Sequence, residues 1–133
     1  MNLYLDPSAL VKRYVAEEGS EIVRSAMAHA DAWFMCRLGY VETYRATGLA
    51  AGEPAARRFR DEWPAFGSIE VDAALADEAA TLALETGLRT LDALHLAAAL
   101  LLPREDLIFA AWNDRLRPVA RTRGLAVLPE SLD

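Results

Sequence analysis

Leu3-Tyr4-Leu5-Asp6-Pro7-Ser8 is the stretch whose reading decides the fold. A short apolar run ends on an aspartate, and the proline after it is tolerated at a helix start, where its missing N–H would have had no partner. The six residues therefore predict a strand that passes into a helix with an acid at the junction. The same pattern returns at Leu107-Ile108-Phe109-Ala110-Ala111-Trp112-Asn113-Asp114, near the other end of the chain.

Working outward, strands are predicted from Leu3 to Leu5, Trp33 to Cys36, Ser68 to Val71, Leu107 to Ala111 and Ala126 to Leu128. Helical patterns separate them. The first runs from Pro7 to a stop at Gly19, and the second from Glu21 to about Ala30 with Ser20 as its cap. Leu38 to Ala50, stopped by Gly52, and the segment opened by Pro54 that carries Arg57, Arg58 and Arg60 form a helical hairpin. Asp72 caps a helix ending at Gly87, and Thr90 caps another that runs to about Leu102. Asn113 or Asp114 caps the last, which Gly124 ends and whose first turn Pro118 restricts. Short strands alternating with helices predict an α/β domain around a parallel sheet. At 133 residues, with neither repeat nor low-complexity tract, the chain fits one domain, 1–133.

Fourteen basic residues against twenty acidic give a net charge of −6, so a polyanion has to be met by a local basic patch. Thirteen of the fourteen are arginine, the better fork for phosphate. The start of the chain lacks the basic and long apolar stretches of a signal peptide, and no apolar run approaches the roughly 18 residues that span a bilayer. The single cysteine, Cys36, cannot form an internal disulfide or a thiolate cluster and reads as a small buried hydrophobe at a strand end. A cytoplasmic protein that stays off the membrane is the expectation. Of the aromatic residues in the hairpin region, Tyr40, Tyr44, Phe59, Trp63 and Phe66, most are expected in the core.

In open parallel sheets, ligands bind beyond the carboxyl ends of the strands. Asp6 and Asp114 follow apolar runs there, although each is also a good helix cap. Asp92 sits in the first turn of a helix among Leu91, Ala93, Leu94 and Leu96, where its plain alternative is an interaction with the helix dipole. His95, three positions on, reads as a packed or hydrogen-bonding residue rather than a ligand. Glu42 lies beside Val41, with Arg45 at i+3 as an ordinary surface partner. Two unit charges about 5 Å apart at an effective dielectric near 20 repel by about 3 kcal/mol, so carboxylates gathered in one cleft need cations or protons. An oxygen-only set favours Mg²⁺ or Mn²⁺ over zinc.

The chain resembles the PIN-domain nucleases, and among them the VapC-type toxins of bacterial toxin–antitoxin pairs. The resemblance rests on Leu5-Asp6-Pro7-Ser8-Ala9-Leu10-Val11-Lys12-Arg13-Tyr14, Glu18-Gly19-Ser20-Glu21, Val41-Glu42, Gly87-Leu88-Arg89-Thr90-Leu91-Asp92-Ala93-Leu94-His95-Leu96-Ala97 and Asp114-Arg115-Leu116. It implies a three-layer α/β/α fold and an endoribonuclease dependent on Mg²⁺ or Mn²⁺, in which a metal-activated water cleaves RNA. It also implies a homodimer and a cognate antitoxin. Carried over by motif, Asp6, Glu42, Asp92 and Asp114 become the catalytic metal-site acids, and Ser8 the supporting hydroxyl. Where the family often has Ser or Thr two positions before the last aspartate, this chain has Trp112. Asn113 then either supplies an amide oxygen or caps the helix. Arg89 and Arg115 are candidates for RNA phosphate contact, ahead of Arg117, Arg121 and Arg123. Two other readings stand beside this one. A non-catalytic PIN-like binding module would have the same fold, and an aspartyl-phosphate phosphotransferase would also place an aspartate after its first strand, although Ser8 stands where the latter needs a second aspartate.

Overall fold

The computed structural model describes residues 1–132. Five strands, β1 (Asn2–Leu5), β2 (Ala32–Cys36), β3 (Phe66–Ile69), β4 (Leu107–Ala110) and β5 (Ala126–Leu128), form one parallel sheet in the order β3-β2-β1-β4-β5. Seven helices connect them: α1 (Pro7–Tyr14), α2 (Ser20–His29), α3 (Arg37–Ala51), α4 (Glu53–Glu62), α5 (Ala73–Thr86), α6 (Thr90–Ala99) and α7 (Leu116–Thr122). Parallel strands need crossovers, and helices supply them here, which covers both faces of the sheet.

Side-chain alternation along the strands sorts the core into two halves. Leu3, Leu5, Met35 and Ala110 face α1 to α4, packing with Leu10, Val23, Met27 and Phe59. Tyr4, Cys36, Phe109 and Val127 face α5 to α7, packing with Leu82, Leu94, Leu96 and Leu116. Burying each of these larger side chains stabilises the fold by about 1.5–3 kcal/mol. The arrangement is the expected three-layer α/β/α architecture, with α3 and α4 as the predicted hairpin. Phe59 and Phe66 are buried against it; Tyr40 packs on Phe59, Trp63 on both Phe59 and Phe66, at ring separations of 5.2–5.9 Å, and Tyr44 stacks on Tyr40 at 6.0 Å. No helix among the described residues is long and apolar enough to cross a membrane.

Four boundaries differ from expectation. Helix α1 stops at Tyr14 rather than near Gly19, because Ser20 Oγ donates to Val15 O and accepts from Glu17 N, giving the intervening turn its own bonds. Ser20 is thus the first residue of α2 and not its cap. Strand β3 begins two residues before the predicted start, since a 3₁₀ turn at Trp63–Ala65 drops Phe66 into the core opposite Trp33, while Val71 is left exposed. Thr90 opens α6 from inside, and the preceding Arg89 makes no side-chain cap.

The sheet order reverses between β1 and β4. β1 connects onward to β2 on one side, whereas the chain returns to β4 on the other, and such a switch point opens a crevice at the carboxyl ends of the strands. Asp6 N donates to Ala110 O at 2.9 Å across that seam, tying the two strand ends together.

Candidate active site

Asp6 leaves β1 in extended conformation and caps α1. Its Oδ2 accepts from Ser8 N at 3.1 Å and from Ser8 Oγ at 2.5 Å. Both readings of this residue therefore hold: it is a cap, and it stands at the switch point. Ser8 Oγ in turn accepts from Trp112 N at 3.0 Å. The hydroxyl bonded to Asp6 thus comes from α1, and the loop after β4 contributes a backbone N–H rather than a side chain. A tryptophan at position 112 is compatible with that, since only its peptide group takes part.

The indole itself is held on the far side of the loop. Lys12 Nζ sits over the Trp112 ring, 5.0 Å from its centroid, and donates to Glu18 O at 2.7 Å. Gly19, at φ +91°, lies against the indole edge, where an added Cβ would come within 2.8 Å of Trp112 Cζ2. Only glycine permits both the backbone angle and the approach.

Asp92 occupies the first turn of α6 and accepts from Asn113 Nδ2 at 3.1 Å. The two alternatives for Asn113 are resolved within one side chain. Its oxygen caps the approach to α7, accepting from Arg115 N and Leu116 N at 2.9 and 3.1 Å, while its nitrogen reaches Asp92. The amide oxygen therefore belongs to the cap.

Glu42 departs from its predicted surroundings. Its partner is not Arg45 on the same helix but His95, 53 residues away, whose Nε2 lies 2.7 Å from Glu42 Oε1. His95 is 1% exposed, and its Nδ1 is 2.7 Å from Tyr4 Oη, which also accepts from Cys36 N at 2.9 Å. Tyr4 and His95 bring Glu42 into the constellation, and Tyr4 had no place in the sequence argument. Its signal was nonetheless available: a tyrosine between two leucines of a buried strand has to find a partner for its hydroxyl. The Cys36 thiol, pushed up by burial at the end of β2, is the inert hydrophobe expected.

Electrostatics join three of the four acids. Burial pushes the Asp6 carboxyl above its ordinary value of 3.8; His95 and the Ser8 bonds pull it back, and the charge of Asp92 adds to the rise. For His95, burial is the largest influence and disfavours the imidazolium. The bond to Glu42 with the charges of Asp6, Glu42 and Asp92 outweighs it, so the pKa lies above 6.5. Asp114 stands apart. It is exposed, lining a cavity of 390 Å³ with Lys12, Gly19 and Trp112, and its charge acts on the guanidinium of Arg117. A hollow of 590 Å³ between α5 and α6 holds none of the four acids.

Arg117, a lesser candidate for phosphate contact in the sequence, is 3% exposed and turned inward. Its guanidinium donates to Ala111 O and Pro129 O, locking the end of β4 to the turn after β5. Arg121 donates to Glu130 O and Arg123 to Glu85. Arg89 and Arg115 are exposed and make no ion pair among the described residues.

The donor chemistry suits a hard divalent cation. Asp6 is a nearly buried carboxylate whose ionisation burial and the charge of Asp92 oppose and only the His95 ring and the Ser8 bonds favour, whereas buried charges normally require full pairing. The side chains do not form a finished cage: among the described residues no three His, Cys, Asp or Glu groups stand together as a ready metal site. Glu42 is turned to His95, and Asp114 to solvent.

Comparison with known proteins gives one answer. Residues 3–116 match the PIN domain. Ribonuclease VapC49 of Mycobacterium tuberculosis (strain ATCC 25618 / H37Rv) is 34% identical over 140 residues, a match covering 98% of this chain and 97% of that one. Among solved structures, Mycobacterium tuberculosis VapC20, described as a Sarcin-Ricin loop cleaving toxin, superposes with a TM-score of 0.74 at 13% identity, covering 88% of this chain and 94% of that one. A toxin–antitoxin complex from Klebsiella pneumoniae superposes at 0.66 with 19% identity, covering 84% and 86%. With the parallel sheet, the switch-point aspartate and a relative aligned nearly end to end, the chain belongs to the PIN-domain family, on its VapC-type branch.

Proposed function

We propose that the protein is a Mg²⁺- or Mn²⁺-dependent endoribonuclease, the toxin of a type II toxin–antitoxin pair. The observation that carries this is the Asp6 carboxylate, buried at the switch point with the charge of Asp92 against its ionisation, and sharing with Asp92 and Glu42 the one imidazole of His95. The ribonuclease name of its 34% identical relative supports RNA as the substrate, and the Klebsiella pneumoniae complex supports an antitoxin as the partner.

Asp6, Glu42, Asp92 and Asp114 would hold the ion. When bound, such an ion polarises a phosphoryl oxygen and lowers the pKa of a water so that it can attack phosphorus. The protein's own groups prepare the place. Ser8 and Trp112 N fix the Asp6 rotamer, and Asn113 Nδ2 holds one oxygen of Asp92. Arg89, three residues before Asp92, and Arg115, next to Asp114, offer unpaired guanidinium forks to the phosphates on either side of the bond to be cut. This local positive rim allows a chain of net charge −6 to accept RNA. A homodimer acting in the cytoplasm completes the reading.

Incubating purified protein with a cellular RNA pool tests it. Cutting should require Mg²⁺ or Mn²⁺ and should vanish in Asp6→Asn and in Asp92→Asn. Protein that cuts nothing with either ion present, or whose cutting survives both substitutions, contradicts the proposal. A monomer by light scattering at micromolar concentration contradicts the homodimer.

A further inference from the structure

Glu42 sits on α3 with its side chain 29% exposed, a setting in which glutamates usually sample many rotamers. A chain of groups drawn from three other places holds it instead. The backbone N–H of Cys36 ends on Tyr4 Oη, Tyr4 Oη lies against His95 Nδ1, and His95 Nε2 against Glu42 Oε1, at 2.9, 2.7 and 2.7 Å. We infer that His95 is a positioning residue, the last link of a one-way relay from Cys36 N–H through Tyr4 that fixes Glu42 for cation binding. The inference rests on the metal-site reading above.

The direction of the relay follows from counting hydrogens. A backbone N–H can only donate, so it occupies a lone pair of the Tyr4 oxygen and leaves the phenolic hydrogen free to point at His95 Nδ1. Nδ1 must then accept, which places the hydrogen of the neutral ring on Nε2, facing Glu42 Oε1. Every group in the chain is satisfied this way. The opposite tautomer sets two bare acceptors 2.7 Å apart and leaves the Tyr4 hydrogen unpartnered in a fully buried site, an arrangement that carries a desolvation penalty.

The relay is rigid because the core is built around it. Tyr4 stacks on Phe109 with centroids 5.4 Å apart, and the His95 ring meets Tyr4 edge-on at 6.0 Å. On the other side, α3 passes so close that a Cβ at Gly39 would stand 2.9 Å from His95 Cε1. Gly39 therefore lets the helix that carries Glu42 press directly onto the imidazole. With Oε1 held, Oε2 makes no hydrogen bond among the described residues and is left to meet an ion, with the ordering of the side chain already complete.

Isothermal titration of the full chain with Mn²⁺, alongside ¹⁵N NMR of the histidines, tests this. His95→Leu should weaken Mn²⁺ binding at least about tenfold, and His95→Gln, whose amide can accept from Tyr4 and donate to Glu42, should recover most of that loss. In a Glu42→Gln background, His95→Leu should have no further effect, which a merely structural role would not produce. The neutral His95 ring should carry its hydrogen on Nε2. Folded His95→Leu protein that binds Mn²⁺ as tightly as the wild type overturns the inference, as does an equal loss in the Glu42→Gln background or a hydrogen on Nδ1. If His95→Leu fails to fold, the His95→Gln titration and the tautomer decide. Wild-type protein that binds no Mn²⁺ removes the metal reading and this inference together, whereas binding that His95→Leu leaves unchanged removes the inference alone.

Discussion

Asp6 caps the start of α1 and Glu62, from α4, meets its end, and the surroundings of these two carboxylates differ in kind. Glu62, at the end of α4, meets the last turn of α1. Arg13 donates to it through Nε and Nη2 at 3.0 and 2.9 Å, and Tyr14 through its hydroxyl at 2.6 Å. Those Arg13 bonds, more than any other influence, pull Glu62 below its ordinary 4.5, whereas burial holds Asp6 above 3.8. Arg13 also lies over Trp33, 5.1 Å from the ring centroid, so this network fastens α1 and α4 to the sheet. A carboxylate that serves the fold is neutralised from within the chain. Asp6, short of such pairing at the crevice where two strands diverge, is the carboxylate that the proposed reading leaves for a cation from outside.

The contrast can be broken most forcefully at Asp6. Asp6→Asn should lower RNA cleavage by at least about a hundredfold, the scale seen when a group acting on transition-state charge is removed, while thermal melting without metal stays level or rises. Glu62→Gln should do the reverse, keeping cleavage while losing about 1–2 kcal/mol in chemical denaturation, a figure already reduced for the partial exposure of the pair. An inactive but stable Glu62→Gln protein would erase the distinction.

Acidification sharpens it. Asp6 has a raised folded pKa, so its ionisation costs stability. That cost is absent below 3.8 and complete above the folded value, and the stability advantage of Asp6→Asn should grow as pH rises through that range. Glu62 has a depressed folded pKa. Its contribution is complete above 4.5 and is lost as pH falls through the folded value, so the deficit of Glu62→Gln should disappear on the acid side. Metal-free melts of the three proteins across this range should show differences of opposite sign that both close in acid.

Smaller effects follow for the groups around Asp6. Ser8→Ala removes the hydroxyl bond to Asp6 Oδ2, leaving the one from Ser8 N, and the acceptor for Trp112 N, and should lower cleavage about tenfold. Arg89→Ala and Arg115→Ala should each weaken RNA binding by a modest factor and reduce its salt dependence by about one ion, read from affinities at several salt concentrations. A loss with unchanged salt slope would remove the arginine from the phosphate rim.

The sheet and the position of Asp6 were legible because both depend on local order: an apolar run, an acid, a proline. The setting of Asp92 was legible for the same reason, since a lone acid among leucines and alanines in a helix's first turn stands out. Glu42 was not, because its partner His95 comes from another layer and reaches it through Tyr4, and no spacing along α3 encodes that meeting. Arg117 misled for a related reason. In sequence it is one of four closely spaced arginines, Arg115 to Arg123, that all offer themselves to phosphate, yet the end of β4 and the turn after β5 close over it. The Glu62 network, joining residues 48 and 49 positions apart, was equally invisible.

Titrating Mn²⁺ into wild-type, Asp6→Asn and Glu62→Gln protein is the most direct test of whether Asp6 is the carboxylate left for a cation. Saturable binding to wild type and Glu62→Gln, with none to Asp6→Asn, is the predicted result. Binding to Asp6→Asn as tight as to wild type, or no binding to wild type, would contradict it.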